Sequence, residues 1–237
     1  MKFSLIIPAY NEEERIEEVV SSYSKFLSGK YDYEIIIVCD GTDNTARIIK
    51  RMAALDARIQ LMEFRERQGK GGGIIHGLKK SRGDIIAFVD SDKAVLPQEF
   101  GRLVNSLDGY GCVIASRRVK GARIISDRPY LRRFSSLVFN MMVNTLFNLN
   151  IRDTQCGAKV FKKKVIEDVL PLLRTRGFEF DVELLWRIKN KGYSIKEIPI
   201  IWNHNDGSTF SLRYSFSMFV SLVKTRFSLG FKEVKKC

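Results

Sequence analysis

Hydrophobic residues occur in short continuous runs along the first half of the chain, separated by stretches with helical periodicity. The runs predict buried strands at 3–9, 33–40, 59–64, 84–90 and 112–116. The stretches between them predict helices at 12–27, 43–55, 71–80 and 97–107. Continuous apolar strands that alternate with helices are typical of a largely parallel sheet covered on both faces. We therefore predict an α/β fold with a mostly parallel central sheet.

The pattern changes after Arg117. A basic loop comes first, with Arg117, Arg118, Lys120, Arg123, Arg128, Arg132 and Arg133. Short strands are then predicted at 158–161 and 197–202, with two helical stretches between them. Near the end of the chain, an amphipathic helix is predicted by an apolar stripe at Phe216, Phe219, Val220, Val223 and Phe227. We predict one domain over 1–209 and a basic amphipathic extension over 210–237.

Residues 134–151 carry no charge, and this length is the minimum for a membrane span. Ser136, Asn140, Asn144 and Asn148 recur at every fourth position, which places four polar side chains on one helical face. Such a stripe does not suit lipid, so we predict an amphipathic helix here. The C-terminal stripe has two interpretations, core packing and docking on a membrane interface.

The chain has 40 lysines and arginines against 27 acidic residues, a net charge of +13. This excess attracts polyanions, namely nucleic acid, an anionic membrane surface or phosphorylated substrates. The four cysteines share no short spacing and there are only two histidines, which argues against zinc. Cys39 and Cys112 lie in apolar runs, as expected of reduced thiols in the cytoplasm, and we expect no signal peptide.

Polar residues follow three of the predicted strands, at 9–12, 40–43 and 90–92. We expect these segments to form one crevice, because ligands of parallel sheets bind outside the carboxyl ends of the strands. Asp90 and Asp92 offer oxygen ligands one residue apart, which suits Mg²⁺ or Mn²⁺ better than zinc. The alternative is an acidic turn without a metal. We expect Lys93, which follows at once, to point away or to add charge beside a phosphate.

Glycines cluster at 69–73, around Lys70. The cluster matches neither the Walker loop nor the dinucleotide-binding pattern, because the required Ser or Thr and the third glycine are missing. Two interpretations stay open. The cluster is a flexible turn before a helix, or it brings the backbone close to a phosphate with help from Lys70 and the helix N-terminus.

Three interpretations also fit the arginine-rich loop. It is a solvated surface, a nucleic-acid contact or a pocket for a phosphorylated acceptor at a membrane. Aromatic residues are few in this loop and no nucleic-acid-binding module is recognisable, which disfavours the second interpretation. Arginine suits a phosphate because its planar group binds two oxygens at once.

Several motifs together resemble the family 2 glycosyltransferases. The first half contributes PAYNEEERI (8–16), IIIVCDGTDNT (35–45), RQGKGGGIIHGLKKSRGD (67–84) and FVDSD (88–92). In the second half, the resemblance narrows to the dolichyl-phosphate glucosyltransferases, relatives of the dolichyl-phosphate mannose synthases, through DTQCGAKVF (153–161), GFEFDVELLWR (177–187) and Trp202 with Gly207 and Ser208. The resemblance extends over 3–230. It implies a GT-A (Rossmann-like) fold, a nucleoside-diphosphate sugar donor and a polyprenyl-phosphate acceptor.

The same resemblance implies a set of site residues. Nucleotide-sugar contacts are implied for Pro8, Ala9, Tyr10, Glu12, Asp40, Lys70 and Asp90, with Asp40 at the base. A divalent metal, Mg²⁺ or Mn²⁺, is implied at Asp90 and Asp92, and the acceptor phosphate at Arg117 with Arg132 and Arg133. Asp92 and Asp153 are the implied catalytic residues, and we expect Asp153 to orient groups rather than to act as a base.

The chain also departs from the family pattern. The departures are Cys39 for the first Asp of Asp-Asp-Gly-Ser, Lys93-Ala94 for Leu-Gln, Thr209 for a lysine, and His204 for a charged residue nearby. These departures affect the prediction of the sugar donor more than the prediction of the fold.

The expected activity is metal-dependent, inverting transfer of a hexose to a polyprenyl (dolichyl) phosphate, with UDP-glucose ahead of GDP-mannose as donor. We expect the protein to lie peripherally on the cytoplasmic face of an anionic membrane and to bind no nucleic acid. Two alternatives stay open. They are transfer to a soluble glycan or protein, and a nucleic-acid-binding module without catalysis.

Overall fold

The computed structural model describes residues 2–125, 130–203 and 220–227, and for 130–137 it describes the backbone only. The strands are β1 (Lys2–Ala9), β2 (Asp32–Cys39), β3 (Ile59–Glu63), β4 (Ile85–Val89), β5 (Cys112–Ser116), β6 (Arg123–Ile124), β7 (Ala158–Lys162), β8 (Ile195–Pro199) and β9 (Ile201–Trp202). The helices are α1 (Ile16–Leu27), α2 (Thr45–Leu55), α3 (Gly69–Lys80), α4 (Pro97–Asn105), α5 (Tyr130–Phe147), α6 (Lys163–Val169) and α7 (Phe180–Asn190), with a short 3₁₀ turn at Leu170–Leu172.

Seven strands form the central sheet in the order β3-β2-β1-β4-β7-β5-β8. Six of them run in one direction, and only β7 is antiparallel to its neighbours β4 and β5. The predicted α/β fold with a mostly parallel sheet is therefore confirmed. Strands β2, β1 and β4 are parallel neighbours in the sheet, so their carboxyl ends lie at one edge.

The continuous apolar strands supply two cores, one on each face of the sheet. In β1, Leu5 and Ile7 pack into one core and Ile6 packs into the other, since successive side chains of a strand point to opposite faces. Helices α1, α2 and α4 cover the first face, and α3, α6 and α7 cover the second. Both faces of the sheet are thus buried, as the continuous hydrophobic runs predicted.

The single strand predicted at 197–202 is wrong. The chain forms two strands there, and they belong to different sheets: β8 pairs with β5, while β9 pairs with β6 in a small sheet of its own. Pro199 ends β8, and a proline has no N–H with which to continue a ladder. Part of the predicted basic loop is also a strand, since Arg123 and Ile124 form β6.

The asparagines of α5 have a structural role. Asn144 accepts a hydrogen bond from the backbone N of Ile151 at 3.1 Å and donates one to its carbonyl at 2.9 Å, and Asn140 donates to the same carbonyl at 3.3 Å. This face of the helix fastens the following loop, as an amphipathic rather than a lipid-facing helix would. Over the described ranges, no helix has the length and apolar character needed to cross a membrane.

Residues 220–227 are helical and pack beside α5. Leu222 is buried in the second core, and Arg226 Nε donates to the carbonyl of Leu146 at 2.9 Å. Phe227 is exposed. The predicted stripe residues Phe216 and Phe219 lie outside the described residues, so the extension over 210–237 stays a prediction.

Candidate active site

The acidic turn after β4 is held at its first residue by the main chain of a neighbouring segment. The N of Asp90 donates to the carbonyl of Gly157 at 2.9 Å. A Cβ at Gly157 would lie 2.1 Å from Oδ2 of Asp90, so only glycine leaves room for this carboxylate. Asp92 Oδ1 accepts a hydrogen bond from the N of Ala94 at 3.0 Å, which closes the turn.

Lys93 lies between these contacts with φ +59, in the left-handed region. Its ammonium forms an ion pair with Glu18 of α1 and not with either aspartate of the turn. The expectation that Lys93 points away is confirmed.

Asp90 and Asp92 fit a hard divalent cation. Both offer carboxylate oxygens at a strand end, with one residue between them, and the Asp90 side chain is 29% exposed, so an ion can reach it. Within the described ranges, no group of three or more His, Cys, Asp and Glu residues is arranged to hold a metal. The protein would therefore supply one or two carboxylates, and phosphate oxygens and water the rest, as is usual for Mg²⁺.

Four charged residues form a row that runs from Asp90 of this turn to the fully buried Lys159. Lys70 Nζ lies 2.9 Å from Oδ1 and 3.1 Å from Oδ2 of Asp90, and 3.4 Å from Oδ2 of Asp181. Lys159 Nζ lies 2.6 Å from Oδ1 of Asp181 and donates to the carbonyl of Cys156 at 2.8 Å. The row thus contains two ammonium groups and two carboxylates in alternation.

The pKa values of this row follow from burial and from the neighbouring charges. Burial raises the pKa of Asp90 above its ordinary value, and the Lys70 ammonium only partly opposes this. Burial also acts to raise the pKa of Asp181, but Lys159 and Lys70 together lower it below its ordinary value. Lys70 has a raised pKa because Asp181 and Asp90 outweigh its desolvation. Lys70 therefore carries its charge at neutral pH.

Asp181 and Lys159 were not among the predicted site residues. The signal was present in the sequence, because each is a charged residue inside an apolar run, in LLW-rich α7 and in β7. Charged residues are almost never fully buried unless they are paired. Their pairing across 22 positions depends on the fold and could not be read from the sequence.

The glycines at 69–73 lie inside α3, which begins at Gly69. The interpretation of the cluster as a flexible turn before a helix is therefore wrong. A Cβ at Gly71 would lie 2.4 Å from Cβ of Phe180, and one at Gly77 would lie 2.4 Å from Cγ2 of Ile6. Close packing of α3 against α7 and β1 requires these glycines, and it outweighs the poor helix propensity of glycine.

Asp40 caps the start of α3. Its Oδ2 accepts hydrogen bonds from the N of Gln68 at 2.7 Å and of Gly69 at 3.1 Å, and Arg67 Nη1 lies 3.2 Å from its Oδ1. Arg67 also stacks on the ring of Tyr10, with its guanidinium carbon 3.1 Å from the ring centroid. Tyr10 is half exposed at the carboxyl end of β1, so these three side chains form one wall of the crevice.

Of the remaining predicted nucleotide contacts, Pro8 and Ala9 are the last residues of β1, and Glu12 lies in the loop beyond. The N of Glu12 donates to Thr45 Oγ1 at 2.8 Å, and its carboxylate forms an ion pair with Arg15. The loop thus packs on the start of α2. Pro8, Ala9, Tyr10, Glu12, Asp40, Lys70 and Asp90 all lie at the same edge of the sheet, and their contacts with a nucleotide sugar stay a prediction.

Arg117 and Asp153 form a buried ion pair after β5. Nε and Nη2 of Arg117 lie 2.7 and 2.8 Å from the two carboxylate oxygens, and the backbone N of Arg117 donates at 2.9 Å. Burial acts to raise the pKa of Asp153, but Arg117 lowers it below its ordinary value. Two residues assigned separately, to the acceptor and to catalysis, therefore form one unit. The side chains of Arg132 and Arg133, and His204 and 207–209, lie outside the described residues.

Comparison with known proteins gives a consistent family match. The family model described as Glycosyl transferase family 2 matches residues 4–170. The dolichyl-phosphate beta-glucosyltransferase of Dictyostelium discoideum is 30% identical over 250 residues, covering 98% of this chain and 76% of that protein. The protein of the same name from Saccharomyces cerevisiae is 32% identical over 259 residues, covering 99% of this chain and 78% of that protein.

Solved structures share the fold. A crystal structure of a mycobacterial protein superposes with a TM-score of 0.73 at 24% identity, covering 96% of this chain and 74% of the other. Glucosyl-3-phosphoglycerate synthase from Mycobacterium tuberculosis, in complex with Mn²⁺, UDP-glucose and phosphoglyceric acid, superposes with a TM-score of 0.71 at 20% identity, covering 96% and 79% of the two chains. At these identities the likeness shows the fold alone.

Proposed function

Because the chain belongs to glycosyl transferase family 2 and has its GT-A fold, we propose that it transfers glucose from UDP-glucose to dolichyl phosphate with inversion at the anomeric carbon. The observation that carries this proposal is the identity of about 30% with dolichyl-phosphate beta-glucosyltransferases along nearly the whole chain. The carboxylates, the lysine and the arginine at one edge of the sheet support it, since they suit a diphosphate and a phosphate.

On the donor side, Asp90 and Asp92 would hold a Mg²⁺ or Mn²⁺ ion, and Tyr10, Asp40 and Arg67 would face the nucleotide. Pro8, Ala9 and Glu12 shape the same part of the crevice. The ion, when bound, stabilises the negative charge of the departing diphosphate. A structurally similar synthase crystallised in complex with Mn²⁺ and UDP-glucose, which motivates this choice of ion and donor.

On the acceptor side, Arg117 would bind the phosphate of the lipid, with Arg132 and Arg133 as further candidates. A phosphate monoester with a second pKa near ~6 is largely dianionic at neutral pH, so its oxygen needs little help from a base. The chain's task is then to position this oxygen and to offset its repulsion from the diphosphate. In this proposal Asp153 holds the Arg117 guanidinium in place.

We further propose that the protein lies at the cytoplasmic face of an anionic membrane. The net charge of +13 supports electrostatic attraction to such a surface, and a lipid acceptor requires access to one. Flotation with vesicles that contain anionic lipid tests this. Binding at low salt that weakens as salt rises is expected, and absence of binding at low salt favours a soluble glycan or protein acceptor.

The direct test is an assay of transfer to dolichyl phosphate with UDP-glucose, GDP-mannose and UDP-N-acetylglucosamine as separate donors. We expect glucose transfer in Mn²⁺ or Mg²⁺, its loss in EDTA, and its loss in Asp92→Ala. Lys93→Met is the matched control, because Lys93 belongs to the same turn but pairs with Glu18. Full activity in EDTA would contradict metal use. Salt-sensitive oligonucleotide binding without any transfer would favour a nucleic-acid-binding function.

A further inference from the structure

We propose that Lys70 is an internal counter-ion that occupies the Asp90 carboxylate until a divalent cation binds, and that Asp181 then receives the displaced ammonium. This inference rests on the metal site of the proposed function. It goes further by assigning a role to Asp181 and Lys159, two buried charges which the transfer chemistry itself does not use.

The first step is the position of the Lys70 ammonium. It lies 2.9 and 3.1 Å from the two oxygens of Asp90, and so faces both of them. A divalent cation that uses the same carboxylate would meet this ammonium at close range. Two cations on one carboxylate repel each other strongly where water is largely excluded, and the Lys70 side chain is only 15% exposed. Lys70 must therefore move, or the ion binds weakly.

The second step is the presence of a receiving group. Oδ2 of Asp181 lies 3.4 Å from the Lys70 ammonium, and the Asp181 side chain is 2% exposed against 29% for Asp90, so a small rotation of the lysine side chain brings it into full contact with the more buried carboxylate. Lys159 holds the other oxygen of Asp181 at 2.6 Å, and the carbonyl of Cys156 holds Lys159 at 2.8 Å. Asp181 is thus fixed in place with one oxygen directed to Lys70.

The third step is that the backbones which carry these two residues cannot drift apart. Gly71 packs against Phe180, the residue before Asp181, so closely that a Cβ would lie 2.4 Å from Cβ of Phe180. The N of Gly72 donates to the carbonyl of Arg176 at 3.0 Å. The helix that carries Lys70 is therefore clamped to the segment that carries Asp181, and the transfer needs motion of one side chain only.

The fourth step is the charge balance. Without a metal, the two ammonium groups of the row neutralise Asp90 and Asp181. When a cation binds at Asp90, Asp181 keeps its ion pair with Lys159 and forms a closer one with Lys70. The positive charge that the cation adds is then available to the incoming diphosphate. The row of four is therefore neutral by itself, the site as a whole is negative by the charge of Asp92 before binding, and it becomes positive only when the ion is present.

Mn²⁺ binding to the full chain, measured by electron paramagnetic resonance without donor or lipid, tests the inference. We expect Lys70→Met to bind Mn²⁺ roughly threefold to tenfold more tightly than the wild type, and Asp181→Asn to bind it more weakly by a similar factor, as for residues coupled in one ion-pair network. Asp181→Asn should weaken binding more when Lys70 is present than in the Lys70→Met background.

Unchanged or weaker binding in Lys70→Met overturns the inference, as does an equal effect of Asp181→Asn in both backgrounds. Thermal unfolding of each variant shows whether it is folded. Lys93→Met should bind Mn²⁺ as the wild type does, because its ammonium pairs with Glu18. A wild type that binds no Mn²⁺ also overturns it.

The glucose-transfer assay separates this inference from the proposed function. If the wild type transfers glucose but the Mn²⁺ affinities of the variants differ from those expected, only the role of Lys70 is contradicted. If the Mn²⁺ affinities are as expected but no glucose is transferred, the role of Lys70 stands and the proposed substrates are contradicted.

Discussion

Arg117 binds Asp153 at three points: through Nε, through Nη2 and through its backbone N, all within 2.9 Å. Asp153 is 3% exposed, so this pair forms in a protein environment and not in solvent. Glu197 adds a hydrogen bond from the backbone N of Asp153 at 3.0 Å. The pair joins the end of β5 to the segment before β7, and it fixes the direction of the guanidinium that we assign to the acceptor phosphate.

Breaking this pair from one side should be costly. Asp153→Ala leaves the Arg117 charge buried without its partner, and we expect it to lower the free energy of unfolding by about 3–5 kcal/mol. Urea denaturation measures this. The double variant Arg117→Met with Asp153→Leu is the control, because replacing both charges by apolar groups should cost much less. A loss below ~1 kcal/mol in Asp153→Ala would contradict a buried pair.

The same pair predicts a pH dependence. The pKa of Asp153 is lowered in the folded state from its ordinary value of 3.8, by the Arg117 guanidinium acting against burial. The folded state therefore binds fewer protons here than the unfolded state. The stabilisation is complete above pH 3.8 and is lost as the pH falls below that value. We expect the difference in unfolding free energy between the wild type and Asp153→Asn to be constant near neutral pH and to shrink in strong acid.

The glycines of α3 provide a matched pair of substitutions. Gly77→Ala places a Cβ 2.4 Å from Cγ2 of the fully buried Ile6, and overpacking of this kind typically costs ~1–3 kcal/mol. Gly73→Ala meets its nearest atom at 3.6 Å, so it should be neutral or stabilise by up to ~1 kcal/mol through helix propensity. Thermal and urea unfolding of the two variants decide this. Equal stability of both would show that α3 does not pack so tightly on β1.

The order of strands and helices could be predicted because it depends on local patterns. The buried strands are continuous apolar runs, and the predicted bounds of β1 and β4 lie within one residue of those observed. The acids at the strand ends could be placed in one crevice because parallel strands end at a common edge. These inferences need no knowledge of which side chains meet.

The rest depends on contacts between distant residues. Glycine disfavours helix, so the glycine cluster at 69–73 also permits a turn until Phe180 is known to pack against Gly71. The pairing of Lys159 with Asp181, and of Arg117 with Asp153, joins residues 22 and 36 positions apart. The split between β8 and β9 depends on β6, a strand of two residues with no pattern of its own.

Gly157 should prove essential to the metal site although it carries no ligand. In Gly157→Ala the new Cβ would lie 2.1 Å from Oδ2 and 2.5 Å from Cγ of Asp90, and the end of an aspartate side chain is free to rotate away. We therefore expect Mn²⁺ affinity to fall by roughly tenfold, as when a supporting residue beside a metal ligand is changed. The loss of stability should stay modest, because a side chain yields and not the backbone.

Gly192→Ala is not a suitable control, because Gly192 has a positive φ of 82. Gly73→Ala serves instead, since its Cβ meets only ordinary contacts. Mn²⁺ affinity unchanged in Gly157→Ala, with the protein folded, would mean that Asp90 does not bind the ion.

Arg117→Lys tests the acceptor assignment without removing a charge. Arginine donates from a planar group, and Nε and Nη2 are both used on Asp153, which leaves Nη1 for a phosphate. Lysine has a single ammonium, which Asp153 would hold, so the phosphate would lose its donor. We expect the KM for dolichyl phosphate to rise by about tenfold, the loss of one charge-assisted hydrogen bond, while the KM for UDP-glucose changes little. Arg102→Lys, a half-exposed position paired with Glu99, is the control and should leave both KM values unchanged. A rise in the KM for the donor and not for the acceptor would show that the Arg117 and Asp153 pair serves the diphosphate.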